Sequence, residues 1–154
     1  AKYNPYYCGW DAGTGNSLSG VCIHHPDGDV KKISTYTAPL GSGTWGSTPD
    51  THWIVHWSET TNGYGVTEGG SSGAPLFDDE GLVIGTLTGG PSSCDNTSGE
   101  DMFGKVNYSW ESNGASRIYL PENLIHGIGI FREVILLNPM NKILQECNSN
   151  VLVQ

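Results

Sequence analysis

The chain has 154 residues with 22 glycines and 8 prolines, and it is 36% apolar, 10% aromatic and 15% charged, the makeup of about one ordinary soluble globular domain. Sixteen acidic against seven basic side chains give a formal charge of −9, which repels phosphate backbones and offers no basic stripe, so no nucleic-acid partner is expected. No run of roughly 18 apolar residues occurs; the most aliphatic stretch, Ile128 to Leu137, is broken by Gly129, Arg132 and Glu133, so no membrane partner is expected either.

Taken in chain order, the first residues, Ala1 to Cys8, lack the apolar core of a signal peptide, so an exported origin requires a signal that has been removed or lies upstream. Turn-forming residues then recur roughly every 8 to 12 positions up to about Gly114, and the segments between them alternate or carry β-branched and aromatic residues. Strands are predicted at Ser19 to His24, Val30 to Thr37 and Thr51 to Trp57. In the last of these Trp53, Val55 and Trp57 share one face, with Ile54 opposite between two histidines. Further strands are predicted at Leu82 to Thr88, ending in Gly89-Gly90-Pro91, and at Gly104 to Trp110, with a loop over Ser92 to Glu100 between them. From Ala115 glycine thins and aliphatic residues crowd in, which suits a strand and a short helix. The fold class is all-β: a single Greek-key β-barrel of six or so strands with a short C-terminal tail. Residues 1–125 are assigned to the barrel and 126–154 to a tail of unknown role that could cover its exposed inner surface; otherwise self-association is expected.

Cys8, Cys22, Cys94 and Cys147 match neither CxxC nor any His-bearing zinc spacing, so no metal and no cofactor is expected. Disulfides suit them better, with three pairings open. The acidity itself serves solubility, or a mild attraction for cationic peptides.

One stretch differs in kind, Gly65-Val66-Thr67-Glu68-Gly69-Gly70-Ser71-Ser72-Gly73-Ala74-Pro75-Leu76-Phe77, a tight glycine-serine loop running into a strand. Glycines let the backbone turn sharply and approach a bound group closely. An acyl-transfer nucleophile needs that arrangement, because its hydroxyl must stand clear while backbone N–H groups converge on the oxygen of the attacked carbonyl. Ser72 is the candidate nucleophile, and the N–H groups of Gly70 and Ser72 are the candidate oxyanion hole. Solvated turns use the same residues, so the loop by itself is weakly diagnostic.

More than the loop matches a known pattern. The segment resembles the nucleophile region of trypsin-like serine endopeptidases, whose signature is Gly-Asp-Ser-Gly-Gly-Pro, and most closely the bacterial lysyl endopeptidases, in which Ser replaces that Asp. Gly9-Trp10-Asp11, Ile23-His24-His25-Pro26 with Lys31-Lys32-Ile33-Ser34, and Gly89-Gly90-Pro91-Ser92-Ser93-Cys94 agree with that family in order and approximate spacing, and Ser116-Arg117 falls where it has Ser-Arg. The likeness spans roughly residues 6 to 120. It implies a secreted protein, extracellular or periplasmic, acting on peptides with Lys or another basic residue before the cleaved bond. It further implies that Asp101 lies at the base of the specificity pocket, Glu100 being the neighbour that could take its place, and that Thr88-Gly89-Gly90 forms a pocket wall on which substrate backbone pairs. Those relatives carry a histidine where this chain has Thr88. Trp45 matches a family tryptophan near the active site, although an aromatic covering a glycine-rich loop reads the same way.

A serine needs a histidine to take its proton and an acid to orient that histidine. In the family both come from a first barrel ahead of the Gly-Trp-Asp block, which starts here at Gly9. The expectation is therefore the nucleophile-bearing C-terminal part of such an enzyme, inactive alone and partnered by a missing N-terminal barrel. The alternative is a non-catalytic peptide-binding or regulatory β-domain. His24, His25, His52 and His56 read as packed or surface histidines rather than bases, and Asp11 as part of its block. Cys8 and Cys22 are expected on neighbouring strands of a hairpin, at positions where members of that family can have alanine, and a local disulfide between them is expected. Cys94 matches a family cysteine whose partner lies near the N-terminus of the complete enzyme, which implies that Cys94 is free or pairs with Cys147.

Overall fold

The computed structural model describes residues 8–112 and 126–128. Among the described residues eleven strands and one short α-helix follow one another, with a single 3-10 turn at Pro26–Gly28 between the second and third strands: β1 Gly9–Asp11, β2 Gly20–His24, β3 Lys32–Tyr36, β4 Gly41–Trp45, β5 Thr48–His56, β6 Glu59–Thr60, β7 Gly63–Tyr64, β8 Pro75–Asp78, β9 Val83–Gly89, β10 Glu100–Lys105, α1 Val106–Ser112 and β11 His126–Ile128. Nine of them form one sheet: seven run antiparallel in the order β3-β2-β8-β9-β10-β5-β4, β1 joins β9 in parallel and β11 pairs antiparallel with β1, while β6 and β7 make a separate small hairpin. The all-β expectation holds. The two ends of the sheet approach each other just past β5, where Ser58 N–H donates to the Thr35 carbonyl of β3 at 2.8 Å.

Period-two patterning explains the core. In β5 Thr51, Trp53 and Val55 are buried, and Trp57 continues their face beyond the strand end. They meet Tyr36, Leu40, Val66, Leu76, Ile84, Leu87 and Phe103. Each such side chain contributes about 2 kcal/mol of apolar burial. Trp57 meets Phe103 edge-on at 6.0 Å, and the Trp53 indole N–H donates to the Ile84 carbonyl at 3.0 Å, so neither large aromatic leaves a stranded donor. Ile54, on the opposite face, packs over Gly41 of the neighbouring strand, where an added Cβ would stand 3.1 Å from it.

Turn chemistry closes the hairpins. The Asp78 side chain accepts from Glu80 and Leu82 N–H at 3.0 and 2.8 Å, which leads β8 into β9. Two residues, Gly46-Ser47, connect the paired Trp45 and Thr48.

Two expectations about elements are corrected. The segment Gly104 to Trp110, predicted as a strand, is strand only through Lys105 and helix from Val106. Its Val, Tyr and Trp content reads as β, but Trp110 packs against Trp10 at 6.2 Å, and that tertiary contact suits helical spacing. The segments holding Cys8 and Cys22 do not form a hairpin. β1 pairs with β9 and β11, whereas β2 pairs with β3 and β8. Accordingly no disulfide joins Cys8 to Cys22, and none joins either to Cys94. The pairing with Cys147, the Ser116-Arg117 block and most of the tail lie outside the described residues; within 126–154 only β11 is described, paired to β1 in the main sheet.

Candidate active site

The glycine-serine loop lies between Val66 and Thr67, which are buried, and β8, which is fixed in the sheet. Between these anchors Glu68, Gly69 and Gly70 are exposed, Ser71 is buried at 2% exposure, and Ser72 and Gly73 are exposed again. Gly70 and Gly73 take φ of +95° and +83°, values that a side chain disfavours. Gly70 also packs on a neighbouring turn: Asp27 N–H donates to the Gly69 carbonyl at 2.7 Å, and a Cβ on Gly70 would stand 3.3 Å from Asp27 N and His25 O.

Backbone donors alternate along this loop. Ser71 N–H donates to Glu68 O at 3.1 Å, Gly73 N–H to Leu87 O at 2.8 Å and Ala74 N–H to Ser71 O at 3.0 Å. Among the described residues the Gly70 and Ser72 N–H groups have no such acceptor, and the Ser72 hydroxyl makes no hydrogen bond. Two uncommitted donors thus flank a free hydroxyl at the two positions the sequence singled out. Such donors suit an oxygen that becomes negative during attack.

Asp101, on β10, is fully buried. Its Oδ2 accepts from Trp57 Nε1 at 2.7 Å, Thr67 Oγ1 at 2.6 Å and Ser92 Oγ at 2.5 Å. Ser92 Oγ in turn accepts the Thr67 N–H at 3.0 Å. Among the described residues Oδ1 accepts only from the Ser92 N–H, at 3.4 Å, which is long for a hydrogen bond. Gly90 lies directly on this oxygen, where any Cβ would overlap it. Glu100, the alternative carboxylate, is exposed and pairs with the exposed His56 at 3.3 Å.

The wall residues behave as one strip. β9 is paired on the β8 side as far as Leu87, which receives Gly73 N–H and donates to Ala74 O. Past that point Thr88, Gly89 and Gly90 overhang, with Gly89 paired only to Met102 of β10. Strand β9 is therefore interior along most of its length and an open edge only at this end. Trp45 is 47% exposed and reaches the same strip, a Cβ on Gly89 standing 3.9 Å from its ring. It stacks on His52 at 5.8 Å, and His52 Nε2 contacts Thr88 Oγ1 at 2.9 Å. Burial, and secondarily the Lys105 charge, lower the pKa of His52 below the ordinary histidine value.

A profile described as lysyl endopeptidase, C-terminal domain, matches residues 1–104. The chain belongs to this family. Among solved structures it is similar to Rv3671c from M. tuberculosis H37Rv, a serine-to-alanine mutant in its inactive form, at 16% identity and a TM-score of 0.47. That likeness covers 77% of this chain and 57% of the other, so the chain spans little more than half its length.

In this lysyl endopeptidase C-terminal domain, Ser72 and Gly70 share one loop, Thr88, Gly89, Gly90 and Trp45 share one strip, and Gly90 ties that strip to Asp101. Thr67 links the serine loop to the same carboxylate. Four residues near these groups were not picked out as partners from sequence: Trp57, Thr67 and Ser92 around Asp101, and Ser71 beside Ser72. Thr67 and Ser71 lie inside the motif itself, and polar residues at positions that prove buried are the signal that could have found them.

All four histidines with described side chains are engaged away from Ser72. His24 contacts Ser71 and Ser34, His25 the Asp29 carbonyl, His52 Thr51 and Thr88, and His56 Glu100. Among the described residues no three His, Cys, Asp or Glu side chains are grouped to hold a metal ion.

Proposed function

We propose that this domain carries the nucleophile and the specificity pocket of a serine endopeptidase that cleaves after lysine, and that its base and orienting acid come from a first barrel outside this sequence. The observation that carries the reading is the free Ser72 hydroxyl flanked by the two uncommitted N–H groups of Gly70 and Ser72. Ser72 would attack the scissile carbonyl, and collapse of the tetrahedral intermediate would break the peptide C–N bond, leaving an acyl-enzyme on Ser72 and releasing an amine that takes up the proton lost by the serine. The carbonyl oxygen, negative in the tetrahedral intermediate, would accept from those two N–H groups. The proton leaving Ser72 needs an acceptor, and each of the four histidines with described side chains is spent elsewhere. The isolated chain is thus expected to hydrolyse peptides negligibly.

Asp101 favours lysine over arginine on geometric grounds. Three donors occupy Oδ2, which leaves one oxygen for a ligand. An ammonium is a compact charge satisfied by one such oxygen together with neighbouring acceptors, whereas a guanidinium gains most from a two-pronged pairing. The carboxylate being fully buried against Gly90, an entering ammonium requires the Gly90 segment to give way.

The test pairs turnover with binding. The isolated chain is expected to show no Ser72-dependent hydrolysis of lysyl esters, and turnover that vanishes in Ser72→Ala would overturn the assignment of the base to another barrel. Peptides ending in lysine are expected to bind more tightly than norleucine counterparts, which keep the stem and drop the charge; equal binding would overturn the Asp101 pocket. In a longer form carrying a first barrel, turnover that survives Ser72→Ala would overturn the nucleophile and favour the peptide-binding alternative.

A further inference from the structure

His24 sits on β2 at 2% exposure, and both its ring nitrogens are in contact. Nδ1 lies 2.8 Å from Ser71 Oγ and Nε2 lies 2.9 Å from Ser34 Oγ. Ser34, itself fully buried, donates its hydroxyl proton to the Val66 carbonyl at 2.9 Å. That fixes every direction in the chain of contacts. A hydroxyl has one proton, so Ser34 can only accept from His24, and Nε2 carries the ring proton. Nδ1 is left with a lone pair, so Ser71 must donate to it. The order is Ser71 to His24 to Ser34 to Val66, with no buried polar atom stranded along it.

Both ends of this chain fall in the serine loop. It leaves the loop at Ser71, crosses β2 and β3, and returns at Val66, next to Thr67, which holds Asp101. It therefore bridges the four residues, Thr67 to Gly70, that separate the pocket side of the loop from the nucleophile side. Ser71 lies between the two backbone N–H groups left uncommitted, so the orientation of the 70–72 backbone is tied to where its side chain is held.

We propose that His24 is a positioning residue, which in its Nε2–H form holds the Ser71 hydroxyl and through it sets the backbone of Gly70 to Ser72. This deepens the reading of Ser72 as a nucleophile and rests on it. Two features of the surroundings agree. Position 71 is where the trypsin-like signature has an aspartate, and a carboxylate there would face an acceptor nitrogen, whereas the serine present supplies the donor that Nδ1 needs. Burial also lowers the His24 pKa from 6.5 to about 4, which keeps the ring neutral and Nδ1 an acceptor at neutral pH.

Two measurements on the isotopically labelled full chain test this, and neither needs turnover. Nitrogen spectra of the His24 ring at neutral pH should show a neutral ring protonated on Nε2; a ring protonated on Nδ1, or charged, overturns the proposal without any variant. In Ser71→Ala, the amides of residues 71, 73 and 74 should exchange with solvent about tenfold faster while those of β5 and β10 keep their rates. Unchanged loop amides, or a uniform acceleration across the sheet, would mean that Ser71 and His24 are packing groups only. Ser34→Ala should act on the same amides, because it removes the acceptor that holds the tautomer. Loss of the Ser72 assignment would appear in the turnover assays and leave these spectra unchanged, so the two failures are distinguishable.

Discussion

The indole N–H of Trp57 donates to Oδ2 of Asp101 at 2.7 Å, reaching from the chain just beyond β5 to a carboxylate on β10. Together with Thr67 and Ser92 it satisfies one oxygen of a fully buried acid completely. A buried carboxylate is tolerated only with such donors, and losing one of them costs more than an ordinary hydrogen bond. Trp57→Phe keeps the aromatic contact with Phe103 and drops the donor, so it is expected to cost about 2–4 kcal/mol in urea unfolding. Thr67→Val, nearly isosteric, should cost about 1–3 kcal/mol. Asp101→Ala should exceed both, because it strands three donors at once. A Trp57→Phe variant as stable as the wild type would show that the donor set around Asp101 is dispensable.

The two adjacent serines should separate cleanly in stability. Ser72 is exposed and its hydroxyl touches no acceptor, so Ser72→Ala is expected to stay within about 0.5 kcal/mol of wild type. Ser71 is buried and donates to His24, so Ser71→Ala should cost about 1–3 kcal/mol by stranding the ring nitrogen. Equal midpoints for the two variants in chemical denaturation would contradict the assignment of one hydroxyl to function and the other to support.

Glycines at the site are expected to fail for different reasons. Gly70→Ala meets an unfavourable φ of +95° and backbone atoms 3.3 Å away, a cost of about 1–2 kcal/mol that falls on the candidate oxyanion donor. Gly28, with φ +72° and open space around it, provides the control for backbone strain without crowding. Gly90→Ala drives a methyl into Asp101 and the Glu100 carbonyl, so it should destabilise most and abolish preference for lysine-ended peptides. Calorimetry on the three variants, with peptide titration on Gly90→Ala, checks the order.

Much of this was legible in the sequence where one residue sufficed to signal it. Alternation in Thr51 to Trp57 marked the buried face of β5 without help from any other strand, and the glycines around Ser72 marked a tight loop. What failed depended on distant partners. Val106 to Trp110 is helical because Trp110 meets Trp10, about a hundred positions away, and β1 joins β9 and β11 rather than the strand that follows it. The support of the site was hidden for the same reason. Ser71 donates to a histidine 47 residues earlier, and Asp101 accepts from Trp57, 44 residues earlier. Local spacing identifies residues that act on a ligand more readily than those that act on them through the fold.

Acid should weaken the domain through His24. Burial is the largest cause of its lowered pKa, with smaller opposition from the Asp101 charge and smaller reinforcement from His25 and Lys32. Between its unfolded value of 6.5 and its folded value of about 4, the unfolded chain binds the proton and the folded one does not. Stability contributed by the neutral ring is therefore complete above about pH 6.5 and is lost as pH falls toward about 4, with no further loss from this group below that. The span corresponds to something on the order of 3 kcal/mol. His52, also lowered by burial, adds to the slope in the same direction, so the informative quantity is the difference between wild type and variant. His24→Gln should be less stable than wild type near neutrality and nearly level with it near pH 4, because it has no ring to protonate. Urea midpoints measured from pH 7.5 down to pH 4 read this directly; parallel curves for the two proteins would show that His24 is already charged, or already solvated, in the native fold.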